Sequence, residues 1–360
     1  MDILIFVVAL SILVLVHEFG HFFAAKITGV KVEEFGLGLP PRIWGKKYKG
    51  TVWSLNWLPI GGFCKLAGED PTEKIQKSKV KNSFMDKNPW QKGLIVLGGV
   101  LMNLVLAVTI FSVVYSILGV PTTIDKVKVV GVASKSPAEN AGIKENDVIL
   151  SVGAQGIAPV QVHTPSELTA EVGKYKGKKV ELSVGNGLKP FRTINIEVRE
   201  NPPAGEGSMG VAISNTEMVK VPWYQFYKGI GAGFKEAYFW GKIILDGVTK
   251  MIGGLLMGQV PKDVSGPIGM FEATSSINKN QGILAVIHFF GIVSVNLAIV
   301  NVLPFPALDG GRIIFVIYEM ITRKRANQKF ESMVNNLGMI ILLSMIAMIT
   351  VGDVVRIFKK

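Results

Sequence analysis

ILIFVVALSILVLVHEFGHFFAA, residues 3–25, carries no ionisable side chain outside the pentad His17-Glu18-Phe19-Gly20-His21. On a helix, residues four apart share a face, so His17 and His21 can reach one metal ion while Glu18 can reach a water beside it. The helix is long enough to cross a hydrocarbon layer of roughly 30 Å. Ionisable groups are costly at that depth and mark function by default. The plainer alternative is a pair of satisfied core histidines. It would leave three polar groups in hydrocarbon without an obvious partner, in a chain that has only 4 histidines.

The composition sets the class. With 360 residues, 49% hydrophobic content and a mean hydropathy of +0.38, the chain is too apolar for an ordinary soluble protein and too charged to be membrane throughout. Spans mixed with a water-exposed domain are expected. The first segment lacks a basic start and a small-x-small exit, which predicts a retained span. The single cysteine, Cys64, excludes an internal disulfide framework and a thiolate zinc site. A net charge of +12 comes without any nucleic-acid-binding motif, so the lysines are assigned to the lipid bilayer and nucleic acid is excluded as a partner.

Residues 1–30 form the first expected span. The loop of residues 31–92 carries Lys31, Arg42, Lys46, Lys47, Lys49, Lys74, Lys77, Lys79, Lys81 and Lys87, which predicts a cytoplasmic loop and a metal site nearer the cytosol. Within it, Thr51 to Leu66 alternates and turns like a strand pair. A β-hairpin dipping toward the metal is expected, offering a strand edge to an extended substrate; an ordinary cytosolic hairpin is the alternative. A second span follows over residues 93–118, with Gly98 and Gly99 permitting close helix approach and Asn103 hydrogen-bonding across the bundle. Residues 120–215 read as a soluble domain. It has strands at 129–132, 147–152, 179–184 and 192–198, a helix over 164–175 and a turn at Gly185-Asn186-Gly187.

Residues 221–260 place apolar side chains at helical spacing, interrupted by Lys228, Lys235, Glu236, Lys242, Asp246 and Lys250. That predicts an amphipathic helix lying on the outer membrane surface. The third span, residues 282–311, ends in Asn301-Val302-Leu303-Pro304-Phe305-Pro306-Ala307-Leu308-Asp309-Gly310-Gly311, where prolines and glycines must break the helix. Alternation of the spans brings this break to the depth of His17 and His21. Asp309 is the acidic residue available there as a third ligand, since catalytic zinc takes three protein ligands and one water. Its other possible role is to cap a helix beginning at Gly310. A fourth span covers residues 337–355. The fold class is thus a polytopic α-helical membrane protein of about four spans, with a membrane-dipping β-hairpin and one inserted extracytoplasmic α/β domain.

The run Ser136 to Ile149 resembles the protease-associated form of the PDZ domain. Together with the pentad and Asn301 to Gly311, the whole resembles the site-2 protease family of intramembrane zinc metalloproteases, nearest to the bacterial regulator of sigma-E protease branch. Phe35-Gly36-Leu37-Gly38, Leu58 to Lys65, Gly98-Gly99 with Asn103, and Gly266-Pro267-Ile268-Gly269 extend the likeness over nearly the whole chain. The resemblance implies a multi-pass protein of the bacterial inner membrane with the PDZ-like domain outside. It also implies cleavage of single-span membrane proteins, such as anti-sigma factors or signal-peptide remnants, after another protease has trimmed them externally. In such a family, asparagines placed like Asn296 and Asn301 contact the substrate backbone; interhelical hydrogen bonding is their other possible role.

The expected chemistry is hydrolysis assisted by Zn2+, with Glu18 as general base and then general acid. Two other readings stand beside it: a non-enzymatic PDZ-bearing membrane scaffold with a vestigial pentad, and a peptidase of soluble peptides near the membrane.

Overall fold

The computed structural model describes residues 1–69, 82–154, 157–185, 191–203, 206–220, 222–257 and 266–359. In chain order the elements are α1 (Asp2–Ile27), β1 (Val32–Tyr48), β2 (Thr51–Leu66), α2 (Pro89–Leu118), β3 (Val120–Val132), α3 (Pro137–Asn140), β4 (Val148–Ala154), β5 (Ile157–Gln161), α4 (Pro165–Gly173), β6 (Lys179–Gly185), β7 (Arg192–Glu197), β8 (Val211–Val219), α5 (Phe226–Leu256), α6 (Pro267–Gln281), α7 (Ile283–Val302), α8 (Asp309–Thr322) and α9 (Gln328–Lys359). They divide into two compact units, residues 1–117 with 222–360 and residues 118–221.

The first unit is helical. Among the described residues, four helices are long and apolar enough to cross a membrane: Asp2–Ile27, Pro89–Leu118, Ile283–Val302 and Lys329–Val355. Their outward faces keep Leu4, Val8, Leu101, Val105, Leu343 and Met348 exposed, the surface an apolar solvent requires. α1 and α2 approach backbone to backbone. A Cβ on Gly20 would lie 2.5 Å from the Gly98 carbonyl carbon, and one on Gly98 would lie 2.9 Å from that of Gly20. α6 ties helix ends together: Asp2 of α1 accepts hydrogen bonds from Ser275 and Asn278, and the buried Asp353 of α9 accepts from the Gly266 and Gly269 amides.

The hairpin differs from its sequence reading. Thr51 to Leu66 is one bent strand, and its partner is β1, joined through Lys49-Gly50 with φ of 47° and 83°. Positive φ at both central residues is the turn geometry that matches strand twist. Residues 34–37 pair with 52–55 on one side and with 62–65 on the other, and residues 42–48 pair with 51–56. Residues 62–66 therefore form an outer edge, with no strand partner on their other side among the described residues.

α5 also departs from expectation. Ser112 and Ser116 of α2 sit against Gly233 and Gly229, while Val295 and Ile299 of α7 sit against Gly241. Over Gly229–Gly241 the helix therefore runs along two apolar helices, antiparallel to α2, and does not lie across their ends. Glycines at spacing four supply the contact face that outweighs the charges.

The second unit is a six-stranded sheet ordered β7-β6-β4-β3-β8, with β5 on β4, and two short helices. Its core is Val127, Val129, Ile149, Val152, Leu168, Val180, Leu182 and Ile196, all nearly or fully buried. Thr164 caps α4 by accepting from the Glu167 amide, while Glu167 accepts from the His163 amide. Of the expected turn at Gly185-Asn186-Gly187, the last two residues lie outside the described residues, as do residues 70–81 of the first loop and 258–265.

Candidate metal centre

α1 holds His17 and His21 on one face with ring centroids 4.8 Å apart, and Gly20 between them lets that face meet α2. Gly99 backs both rings: a Cβ there would lie 2.5 Å from His21 Nε2 and 2.6 Å from His17 Cε1. α2 also engages the far side of each imidazole. His21 Nδ1 lies 2.9 Å from the Ile95 carbonyl oxygen, which can only accept, so the proton sits on Nδ1 and the Nε2 lone pair is free. His17 Nδ1 lies 3.3 Å from the carboxamide of the buried Asn103.

α7 stops at Val302, and the turn through Pro304 and Pro306 delivers Asp309 as the first residue of α8. The turn is compact because Gly311 has no side chain: a Cβ would lie 2.5 Å from the Phe305 carbonyl oxygen. Ala307 takes a left-handed φ of 72°, and its amide faces Asn335 Oδ1 of α9 at 3.5 Å. Leu308 occupies the N-cap position and no side chain caps the helix, so Asp309 does not take the capping role.

Asp309 Oδ2 lies 3.2 Å from His17 Nε2 and 3.4 Å from His21 Nε2, and the two Nε2 atoms are 3.2 Å apart. Oδ2 is buried and without a hydrogen-bond partner. With the His21 proton on Nδ1, the His21 Nε2 lone pair faces the Asp309 carboxylate oxygen, a repulsive contact unless a cation lies between them. Ligands about 2.0–2.1 Å from a tetrahedral ion stand about 3.3–3.4 Å apart. The donor set of two imidazoles and one carboxylate fits zinc in both chemistry and spacing. Among the described residues this is the one group of three or more His, Cys, Asp or Glu side chains brought together for a metal, all within 4.8 Å.

Beside the three lies a cavity of about 440 Å³. Glu18, Phe63 and Cys64 of the edge strand, Asn301, Arg312, Asn335 and Asn336 are among its lining. A Cβ on Gly62 would lie 3.8 Å from Glu18 Cγ, which brings the strand edge up to the pentad. Asn301 faces the cavity, whereas Asn296 is exposed and is not part of the lining. Arg312, one turn past Asp309, is ion-paired with Glu69. His163 and His288 pair elsewhere, with Asp125 at 3.1 Å and Glu236 at 3.3 Å.

Sequence reasoning missed Ile95, Arg312, Asn335 and Asn336, and gave Asn103 only a bundle contact. A signal existed for Arg312, since a cation one helical turn after Asp309 shares its face. None existed for the Ile95 carbonyl.

Four apolar helices around two histidines, a carboxylate and a neighbouring glutamate define the class: a multi-pass membrane protein with a metallohydrolase centre. The sequence profile of Peptidase family M50 matches residues 5–345. The chain belongs to that family, the site-2 proteases. It is similar over nearly its full length to three bacterial proteins, each named "Putative zinc metalloprotease". That of Clostridium perfringens is 32% identical, covering 99% of both chains. That of Clostridium acetobutylicum is 30% identical over 98% of this chain and 97% of its own. That of Campylobacter jejuni is 30% identical over 98% of this chain and 93% of its own.

Proposed function

We propose that this zinc metalloprotease hydrolyses peptide bonds within the transmembrane segments of single-span membrane proteins. His17, His21 and Asp309 hold the zinc ion and Glu18 moves the proton. The observation that carries this reading is the convergence of three ligand atoms: two imidazole nitrogens from α1, a helix long and apolar enough to span a membrane, and a buried carboxylate oxygen without a hydrogen bond from the start of α8, just after the spanning α7.

Zinc bound there supplies a Lewis acid that lowers the pKa of bound water to about 7 and polarises a carbonyl. The Glu18 carboxylate accepts the water proton as the oxygen attacks the peptide carbonyl carbon. It then returns that proton to the amide nitrogen as the C–N bond breaks, and the second water proton passes from the new carboxyl group to the amine, leaving a carboxylate and an ammonium group. The Ile95 carbonyl keeps the His21 proton on Nδ1. A spanning helix protects its own carbonyls, so the substrate must unwind before it is cut. The outer edge at residues 62–64, which has no strand partner on its other side among the described residues, supports docking of that unwound segment by strand addition, with the cavity-lining Asn301 contacting its backbone. Asn296, off the cavity, would meet the segment only on its way in.

The second unit serves in this reading as a PDZ-like domain outside the bacterial inner membrane, with the metal nearer the cytosol. It excludes bulky ectodomains, so only substrates trimmed by another protease gain access, as in regulated intramembrane proteolysis of anti-sigma factors or signal-peptide remnants. The test is reconstitution of the full chain in liposomes with a single-span substrate, followed by mass mapping of the products. Cleavage within the apolar segment is expected. Cleavage confined to soluble peptides would refute the proposal.

A further inference from the structure

Both zinc-facing histidines are read from behind by α2, and the two readings differ in kind. His21 meets a backbone carbonyl, that of Ile95 at 2.9 Å. His17 meets a side chain, the carboxamide of Asn103, at 3.3 Å. Asn103 is fully buried at 0% exposure, and its Oδ1 has no hydrogen-bond partner. Its backbone carbonyl accepts from Ser294 Oγ of α7 at 2.8 Å, which fixes this turn of α2 against a second helix.

A neutral imidazole carries one proton. If Nε2 is to bind a cation, that proton must sit on Nδ1, where only an acceptor can hold it. The Asn103 amide nitrogen would hold the opposite tautomer, with the His17 proton on Nε2 pointing at His21 Nε2 and Asp309 Oδ2. The side-chain oxygen has no other donor to serve. The two ends of a carboxamide have the same shape, and a half-turn brings Oδ1 onto the ring N–H.

We propose that Asn103 is a positioning residue for the metal centre: its Oδ1 accepts the His17 Nδ1–H, fixing the tautomer and ring orientation in which Nε2 is a ligand. Among the described residues Asn103 is the α2 partner of His17 Nδ1, whereas His21 is served by a backbone group that no substitution removes. The centre therefore depends on one replaceable hydrogen bond. Partners of this kind are worth about 10–100-fold in metal affinity.

The inference rests on the proposed zinc site, and the test separates the two. Zinc dissociation constants are measured by chelator competition on the purified full-length protein and on its Asn103→Leu, Asn103→Asp and Ser294→Ala variants, with thermal melting to confirm folding. Asn103→Leu is expected to bind zinc about 10–100-fold more weakly. Asn103→Asp, which keeps an acceptor, should match or exceed wild type, and Ser294→Ala should match it. Asn103→Ala replaces the leucine variant, with the same expectation, if the latter does not fold. Wild-type affinity in the leucine or alanine variant would overturn the inference. Equal losses in that variant and in Asn103→Asp, or an equal loss in Ser294→Ala, would mark a packing role and overturn it too. A wild-type chain that binds no zinc would overturn the metal site itself.

Discussion

Gly20→Ala sets two effects of opposite sign against each other. In an exposed helix interior, replacing glycine by alanine stabilises by roughly 1 kcal/mol. At Gly20 the new Cβ would lie 2.5 Å from the Gly98 carbonyl carbon and 2.8 Å from Gly99 Cα. Ordinary carbon contacts begin near 3.5 Å, so α1 must retreat from α2 by about 1 Å. Both neighbours are backbone atoms and cannot rotate away, and overpacking of this kind costs about 1–3 kcal/mol. Sterics therefore outweigh the helix-propensity gain. The displacement falls between His17 and His21, and withdraws both rings from Ile95 and Asn103. A misplacement of about 1 Å at a reacting centre costs on the order of 100-fold in rate. The assay is cleavage of a liposome-reconstituted single-span substrate beside zinc content and thermal melting. The variant should bind zinc more weakly and lose about two orders of magnitude in turnover. Wild-type zinc affinity and turnover in a folded Gly20→Ala protein would refute the close-packed arrangement of α1 on α2.

Asp309→Ala should strip zinc from the purified protein, while His163→Ala and His288→Ala should retain it, because those histidines pair with Asp125 and Glu236 and not with the site; metal analysis of the three decides. Cysteines introduced at Gly68 and Met85, with Cys64 replaced, should be labelled from the inner side, and cysteines at positions 135–215 from the outer side, as the positive charge of the first loop requires. Labelling of both sets from one side would break the topology. Removal of residues 125–215 should permit cleavage of substrates that still carry a folded ectodomain. If the domain instead recruits trimmed substrates, removal will slow their cleavage and leave untrimmed ones intact.

The metal centre was legible where ligand chemistry forces residue types into fixed spacing. His17 and His21 stand one helical turn apart with Glu18 next to His17, and the prolines before Asp309 force a helix break, so local sequence alone marks the three candidate ligands on two segments. The partners behind the ligands were not legible. Ile95 offers a carbonyl that every residue possesses, and Asn103 lies 86 positions from His17. β1 went unread because Arg42, Lys46 and Lys47 suggested a solvated loop, and both strands of the hairpin were placed within Thr51 to Leu66 when the turn is Lys49-Gly50. α5 was assigned to the surface on its lysines, although Gly229, Gly233 and Gly241 carried the opposite signal. α6 begins at Gly266-Pro267, a helix-start signature that was available and unused.

Glu18→Gln is the most direct test of the account, since Glu18 is assigned to proton transfer and not to metal binding. Zinc content and cleavage of a reconstituted single-span substrate should be measured on the same preparation. The account predicts wild-type zinc content with cleavage reduced by at least the 10²–10⁴-fold typical of a lost general acid–base. A zinc-loaded Glu18→Gln protein that cleaves at the wild-type rate would contradict it.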